Sequence, residues 1–156
     1  MTNREPLLRR AEIQHLPLLL TLVEAFYVLD QHSYEPVRVE SALRPLLEHD
    51  DFGVVYLVNG DQGYVVITWG YSLESGGREG LVDEIYLRHR GQGVGTRVMQ
   101  ALFEDLRGRG VIKMFLETER HNARARTFYA RQGFEADDSI WMSRSLKKIS
   151  DRSGVN

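Results

Sequence analysis

The sequence predicts a single α/β domain, built on a mixed, mostly antiparallel sheet of six or seven strands with about four helices on its two faces. Two stretches carry this prediction. Residues 53–72 place two β-rich runs around the turn signature Asn59-Gly60-Asp61, a pattern typical of an antiparallel hairpin. Residues 81–117 run apolar strand, glycine turn, amphipathic helix and strand, which predicts a right-handed βαβ unit with parallel strands.

One short strand and two helices are predicted before the hairpin. Residues 5–11 are a strand candidate, and Leu16 to Tyr27 carries apolar side chains at spacings of three and four, which indicates a helix. Pro17 suits the first turn of that helix, because the missing N–H has no helical partner to lose there. A second helical pattern spans about 36–49, and Pro45 inside it is expected to end or kink the helix.

The elements after the hairpin alternate between strands and helices. Residues 73–80 (LESGGREG) are predicted to form a flexible connection into a strand at 81–87. The amphipathic helix and the strand of the βαβ unit then cover 96–109 and 111–117. The late elements are a helix over 122–132, for which Asn122 is a suitable N-cap, and strands at 134–136 and 140–146.

Length and composition are those of one globular domain. The 156 residues are 42% hydrophobic and 27% charged, and the domain is expected to span 1–146 with a polar, flexible tail at 147–156. The formal net charge of -2 argues against nucleic-acid binding driven by bulk electrostatics. The N-terminus lacks the apolar core of a signal peptide, and no apolar run reaches membrane-spanning length. We therefore expect a cytoplasmic protein without a membrane segment.

Thiol and metal chemistry are not predicted. The chain has no cysteine, which excludes a disulfide framework, a thiol nucleophile and a thiolate metal site. Its five histidines show no metal-ligand spacing, so we expect no metal.

The stretch Arg90-Gly91-Gln92-Gly93-Val94-Gly95-Thr96 predicts an anion site. Its glycines let the backbone turn tightly and approach a ligand, and the helix that follows begins with free N–H groups and a positive dipole end. No Gly-Lys-Ser/Thr closes the stretch, so it is not a P-loop, and its third glycine comes one place early for a dinucleotide fingerprint. On this stretch alone, a plain strand-to-helix turn is the alternative.

The order Arg90-x-x-Gly93-x-Gly95, a helix, a strand, Asn122 and Tyr129-x-x-x-Gly133-Phe134 resembles the GNAT superfamily of acyl-CoA-dependent N-acyltransferases. The close match covers about residues 81–146. The resemblance implies the GNAT fold, acetyl-CoA as co-substrate, and transfer of the acetyl group to a primary amine by direct attack. A non-catalytic acyl-CoA-binding sensor or regulatory module is the alternative function.

The resemblance also implies where CoA would bind. Backbone N–H groups of the glycine turn and of the following helix would hold the pyrophosphate, and the strand before the turn would pair with the pantetheine arm. The strand at 111–117 would splay away and open a V-shaped slot for that arm. The implied cofactor-binding residues are Ile85, Tyr86, Leu87, Arg90, Gly91, Gln92, Gly93, Val94, Gly95, Thr96 and Asn122.

The resemblance gives Tyr129 the role of proton donor to the leaving CoA thiolate. A phenol suits that role, because its reference pKa of about 10 exceeds that of a thiol at about 8.5. Asp83 and Glu84 are both candidates for the base, and strand alternation points them to opposite faces. The family pattern favours Asp83 if the strand ends at Leu87, although only two residues then separate it from Arg90. Surface carboxylates or salt-bridge partners are an equal alternative for both.

The candidate acceptor-binding residues are Tyr27, Asp30, His32, Tyr34 and Glu117. Their aromatic and acidic character suits a cationic amine, while a helix end with surface polar residues is the plainer explanation. Polyamine, aminoglycoside, amino acid, peptide N-terminus and protein lysine all stay open as acceptors. Dimers are common in the family, so a homodimer is an expectation, and 140–142 fits an interface strand or a core strand equally.

Overall fold

A five-stranded sheet organises residues 6–148, the part of the chain that this computed structural model describes. Its strands lie in chain order: β1 (Leu8–Arg10), β2 (Gly53–Val58), β3 (Gly63–Ser72), β4 (Gly77–Leu87) and β5 (Lys113–Phe115). The first three pairings are antiparallel, and β4 pairs with β5 in parallel. Both the predicted hairpin and the predicted βαβ unit are therefore confirmed.

Helices cover both faces of the sheet. They are α1 (Leu16–Leu29), α2 (Pro36–Glu48), α3 (Val94–Gly108) and α4 (Ala123–Arg131), with a short 3-10 turn at Ile13–His15 before α1. Helices α1 and α2 bury one face, and α3 buries the other with partial cover from α4. This arrangement matches the predicted count of helices.

The two central strands are buried on both sides, and their sequences show why. All six residues of β2 are buried, and β3 begins with the aliphatic run that follows Tyr64. Because side chains alternate along a strand, Val55 and Leu57 pack under α1 and α2, while Val54 and Val58 pack under α3. Such a strand needs a continuous apolar run in place of strict alternation.

Pro45 does not end its helix, because α2 continues to Glu48. Only three helical residues follow the proline, so the break in hydrogen bonding falls in the last turn, where the loss is small. The first helix fits its prediction, with Pro17 in its first turn.

The predicted flexible connection at 73–80 is wrong in its second half. Residues 77–80 belong to β4 and pair with β3, and the turn itself is confined to 73–76, with Gly76 at φ 86°. The glycines at 76, 77 and 80 made this part of the sequence look like a turn. Gly80 is explained by packing, since a Cβ there would lie 3.3 Å from the Val111 side chain.

The late strands predicted at 134–136 and 140–146 are not formed, so the described sheet has five strands and not six or seven. The segment carries a β-like pattern, yet its large apolar side chains are 80–91% exposed: Ile140, Trp141, Met142 and Leu146. A strand needs a partner edge, and β5 offers one only three residues long. Residues 149–156 of the predicted tail lie outside the described part of the chain.

Within residues 6–148, no helix combines the length and the hydropathy that crossing a bilayer requires.

Candidate active site

The parallel pairing of β4 and β5 stops early and leaves an opening in the sheet. The last paired residues are Leu81 and Phe115, whereas β4 continues to Leu87 with only β3 beside it. The backbone of 82–87 therefore has one free edge, to which an extended ligand can hydrogen-bond. This geometry agrees with the V-shaped slot expected from the sequence.

The glycine turn lies two residues beyond the end of β4. Three successive residues of the turn have positive φ angles: 105° at Gly91, 52° at Gln92 and 69° at Gly93. Helix α3 begins directly after them. Their N–H groups have no acceptor within residues 6–148. Successive free N–H groups at a helix N-terminus are suited to an anion, so the anion site stays a prediction here.

Arg97 supports the shape of this turn and was missed in the sequence. Its guanidinium donates to the carbonyl oxygen of Gln92 at 2.9 Å, and its backbone N–H donates to that of Gly93 at 3.1 Å. Both bonds hold carbonyl groups back toward the helix, which keeps the N–H side of the turn accessible. An arginine one turn into the helix was the available signal.

Helix α4 packs across the start of α3. A Cβ placed on Gly95 would lie 3.0 Å from the ring of Phe128, and Gln132 Nε2 donates to Thr96 Oγ1 at 3.2 Å. The glycine at position 95 is thus needed for helix packing and not only for approach of a ligand. Through this contact, α4 brings Tyr129 near the glycine turn.

Asn122 is confirmed as the N-cap of α4. Its side-chain oxygen accepts the backbone N–H of Ala125 at 3.0 Å. Because that oxygen is engaged, only the amide NH₂ of Asn122 is free to contact a ligand.

Tyr129 has a free hydroxyl, since no group within residues 6–148 hydrogen-bonds to it. Its ring packs against Phe128 and Phe134, at centroid distances of 5.2 and 5.8 Å. Partial burial raises the pKa of the phenol, and the positive charge of Arg90 opposes that rise. Tyr129 is therefore protonated near neutral pH and available as a proton donor.

A β-bulge interrupts β4 at Asp83. In the pairing with β3, Val82 lies opposite Ile67 and Glu84 opposite Val66, which leaves Asp83 as the extra residue. The bulge changes which face the following side chains occupy. Val82 packs under α3, whereas Glu84 lies on the face covered by α1. In a regular strand, residues two positions apart would share a face.

Glu84 is held by two tyrosines. Tyr27 from α1 donates to one carboxylate oxygen and Tyr64 from β3 donates to the other, both at 2.7 Å. Burial raises the pKa of Glu84, and the two hydrogen bonds oppose that rise by favouring the charged form. The same burial and the nearby carboxylate raise the pKa of both phenols.

Asp83 differs from Glu84 in having no hydrogen bond and no ion pair within the described residues. Its side chain is exposed, and loss of part of its hydration raises its pKa. Strand β4 runs to Leu87, so only two residues separate its end from Arg90. Counted back from Leu87, the family pattern favours Asp83, but Glu84 is the carboxylate that hydrogen bonds hold in place.

Four of the five candidate acceptor residues lie together. The ring of Tyr27 packs edge-on against His32 and Tyr34, at 6.0 and 6.1 Å, and Asp30 pairs with His32 at 3.1 Å. Glu117 is not part of this group: it lies two residues beyond β5, is exposed, and contacts none of them.

Tyr64 was not among the residues predicted for the site. It is fully buried and packs against Phe26 and Tyr86 beside Glu84. The available signal was a phenol directly before the aliphatic run 65–67 of β3. A metal site is not indicated: no group of three or more metal-ligating side chains exists within residues 6–148.

Known proteins share this fold and part of this sequence. An integron cassette protein from the mobile metagenome of Cole Harbour Salt Marsh superposes with a TM-score of 0.80 at 29% identity, covering 92% of each chain. A predicted acetyltransferase of Clostridium acetobutylicum solved with acetyl-CoA superposes with a TM-score of 0.71 at 18% identity, over 89% of this chain and 95% of that one. The second likeness concerns the fold alone.

A shorter match connects the chain to N-alpha-acetyltransferase 30 of Schizosaccharomyces pombe. It is 42% identical over 50 residues, which is 32% of this chain and 33% of that protein, so the chain spans only a third of that relative's length. The Acetyltransferase (GNAT) family model matches residues 19–134, about three quarters of the sequence and nearly all the elements described above. The chain belongs to the GNAT acetyltransferase family.

Proposed function

We propose that this acyltransferase moves an acetyl group from acetyl-CoA to a primary amine by direct attack. The observation that carries the proposal is the stretch 82–87 of β4. It has a free backbone edge, it leads into a turn of free N–H groups, and it presents Glu84 toward the α1 side. A thioester lying on that edge would lie between an anion site and a carboxylate.

Acetyl-CoA fits this edge in two parts. The pyrophosphate suits the N–H groups of residues 91–93, 95 and 96 with the charge of Arg90, since that of Val94 donates to the Gly91 carbonyl oxygen at 3.2 Å. The pantetheine arm suits the backbone of Ile85, Tyr86 and Leu87. The NH₂ group of Asn122 is free to contact the same arm. The related fold solved with acetyl-CoA supports this assignment.

Glu84 is the base that we favour over Asp83. An alkyl amine is mostly protonated near neutral pH and must lose a proton before it can attack a carbonyl carbon. Glu84 is fixed by two phenols, and its pKa is raised by burial, which makes its carboxylate a better proton acceptor. Asp83 has no such support.

Tyr129 would complete the reaction as the acid. As the new C–N bond forms and the C–S bond breaks, the electron pair of that bond leaves on sulfur, and the phenol O–H of Tyr129 gives it a proton. The Tyr129 hydroxyl has no partner to lose within the described residues, and Arg90 stabilises the phenolate that results. The Glu84 carboxylate takes the proton that the ammonium form of the amine loses before attack, and the second proton, which the nitrogen loses as the amide forms, restores the Tyr129 phenol.

The acceptor is the least determined part of the proposal. An aromatic and acidic surface beside Glu84, which we call the acceptor wall, suits a cationic amine. It consists of Tyr27, Asp30, His32 and Tyr34. The match to an N-alpha-acetyltransferase supports peptide N-termini as the first class to try.

Release of the CoA thiol in the presence of an amine panel tests this function. The panel should hold a polyamine, an aminoglycoside, free amino acids, a peptide with a free N-terminus and an N-blocked peptide with one lysine. We expect release with at least one amine and an acetylated product by mass. Tight CoA binding without release for any amine would favour the non-catalytic module instead.

Thermal unfolding separates both functions from nucleotide binding. CoA should raise the melting temperature more than ATP or NAD does, because only a ligand that binds the folded state stabilises it. Stronger protection by either nucleotide would contradict the assignment of the glycine turn to CoA.

A further inference from the structure

The carboxylate of Glu84 joins two elements that belong to different parts of the site. Tyr64 lies in the core on β3 and is fully buried, whereas Tyr27 lies on α1, where it also contacts His32 and Tyr34. Each phenol donates one hydrogen bond to a different oxygen of the same carboxylate, at 2.7 Å. A side chain held at both oxygens by separate elements has one orientation.

The bulge at Asp83 makes this arrangement possible. Without it, Glu84 would share a face with Val82, under α3 and away from both tyrosines. The chain thus uses one extra strand residue and two phenols to turn a single carboxylate toward the acceptor wall.

Glu84 forms no ion pair within the described residues. The side chain of His32 lies 3.1 Å from that of Asp30, and Arg38 pairs with Glu35. The two phenol O–H groups are therefore the contacts that favour the ionised form of Glu84 against burial.

We propose that Tyr27 and Tyr64 are positioning residues, which hold Glu84 ionised and aimed at the amine of the acceptor. This rests on the proposed function, in which Glu84 is the base. Tyr64 does so from the rigid core, and Tyr27 does so from the acceptor wall, so that Tyr27 also links the base to the acceptor. Removing either hydroxyl should make Glu84 harder to ionise.

The groups that face Glu84 define what else could titrate with it. They are Tyr27 on α1, Tyr64 on β3, its neighbour Asp83 on β4, and His32 in the loop after α1. The negative charge of Asp83 raises the pKa of Glu84, and His32 lowers it. A His32→Gln background keeps these effects apart, since it removes the imidazole that acts on Glu84.

The pH dependence of kcat/KM for the acceptor tests the proposal. Wild-type activity should fall as pH drops through the pKa of Glu84, because the protonated carboxyl cannot accept a proton. A hydrogen bond to the charged form lowers a pKa, so Tyr27→Phe and Tyr64→Phe should each move this acidic limb up by about one pH unit. Below the limb, kcat/KM should then be about tenfold lower in both variants, and above it kcat/KM of Tyr64→Phe should be close to wild type.

The variants differ in a second readout. Tyr27→Phe should also raise KM for the amine, since the hydroxyl that it removes joins the acceptor wall to the base, while Tyr64→Phe should leave that KM unchanged on the alkaline side. Tyr56→Phe is the matched control, because Tyr56 also donates to a carboxylate, that of Asp105, on the far side of the sheet. It should leave the limb in place.

A carbon NMR titration of the Glu84 carboxyl separates this proposal from the proposed function. It needs no turnover, and the apparent pKa should rise in Tyr27→Phe and in Tyr64→Phe even if no amine is acetylated. A limb and a titration that do not move would overturn the proposal. So would an equal loss of activity at every pH, which is the effect of a purely structural role.

Discussion

The first two thirds and the last third of this molecule are packed to very different degrees. Every fully buried hydrophobic side chain within residues 6–148 lies at or before Val111, and β2 is buried along its whole length. After Val111, α4 has no buried residue, and Phe128, Tyr129 and Phe134 are only half-buried. From Glu135 to Lys148 every side chain is exposed.

The difference separates stability from the chemistry that we propose. Glu84 stands in the packed part, where Tyr64 anchors it in the core. Tyr129 stands in the open part, on a helix that touches the rest mainly through Phe128 at Gly95 and Gln132 at Thr96. Substitutions of buried side chains in the first region should therefore change folding most, and those in the second region should have little effect on folding.

Leu102→Ala should show the largest effect on folding. Leu102 is fully buried on α3, in the cluster that also holds Ile67 and Val98. Truncating such a leucine leaves a cavity, and we expect a loss of about 2–5 kcal/mol in the free energy of unfolding by urea. A loss below about 1 kcal/mol would mean that the packed region is less rigid than described.

Gly91→Ala should act on binding more than on folding. A Cβ at Gly91 meets no atom within 4 Å, so the cost comes from its φ of 105°, about 1–3 kcal/mol for a residue other than glycine. If the turn relaxes to avoid that strain, its N–H groups lose their alignment. We expect CoA affinity, measured by calorimetry, to fall roughly tenfold.

Gly108→Ala is the matched control for that change. Gly108 also has open space around its Cβ position, but its φ is ordinary and it ends α3 at the opposite end from the turn. CoA affinity should be unchanged. Equal effects of the two substitutions would contradict the role given to the conformation of Gly91.

Leu146→Ala should have the smallest effect. It removes the same atoms as Leu102→Ala, but Leu146 is 87% exposed. The free energy of unfolding should stay within about 0.5 kcal/mol of wild type. A loss above 2 kcal/mol would show that the segment after α4 packs against something in solution.

Local signals were enough to predict much of this structure from sequence. The β2–β3 hairpin follows from its turn residues, and Asn122 caps its helix as its residue type suggests. The turn before α3 was predictable because its glycines and the helix after it are adjacent in the chain.

What escaped prediction depends on contacts between distant residues. The bulge at Asp83 arises from the register of β4 against β3, which neither strand encodes alone, and the partnership of Tyr64 with Glu84 follows from it. The pattern at 140–146 predicted a strand that is not formed, because a strand also needs a partner edge, which the pattern does not encode. Gly80 made the strand at 77–80 hard to recognise, because the need for glycine there comes from the distant side chain of Val111.

Turnover, CoA affinity and unfolding free energy of Tyr129→Phe test the central claim most directly. The hydroxyl has no partner within the described residues, so its removal should leave the free energy of unfolding and the affinity for CoA unchanged. Turnover should fall about 10²–10⁴-fold, the usual value of a general acid. Turnover equal to that of wild type would remove Tyr129 from the mechanism and contradict the separation of chemistry from stability.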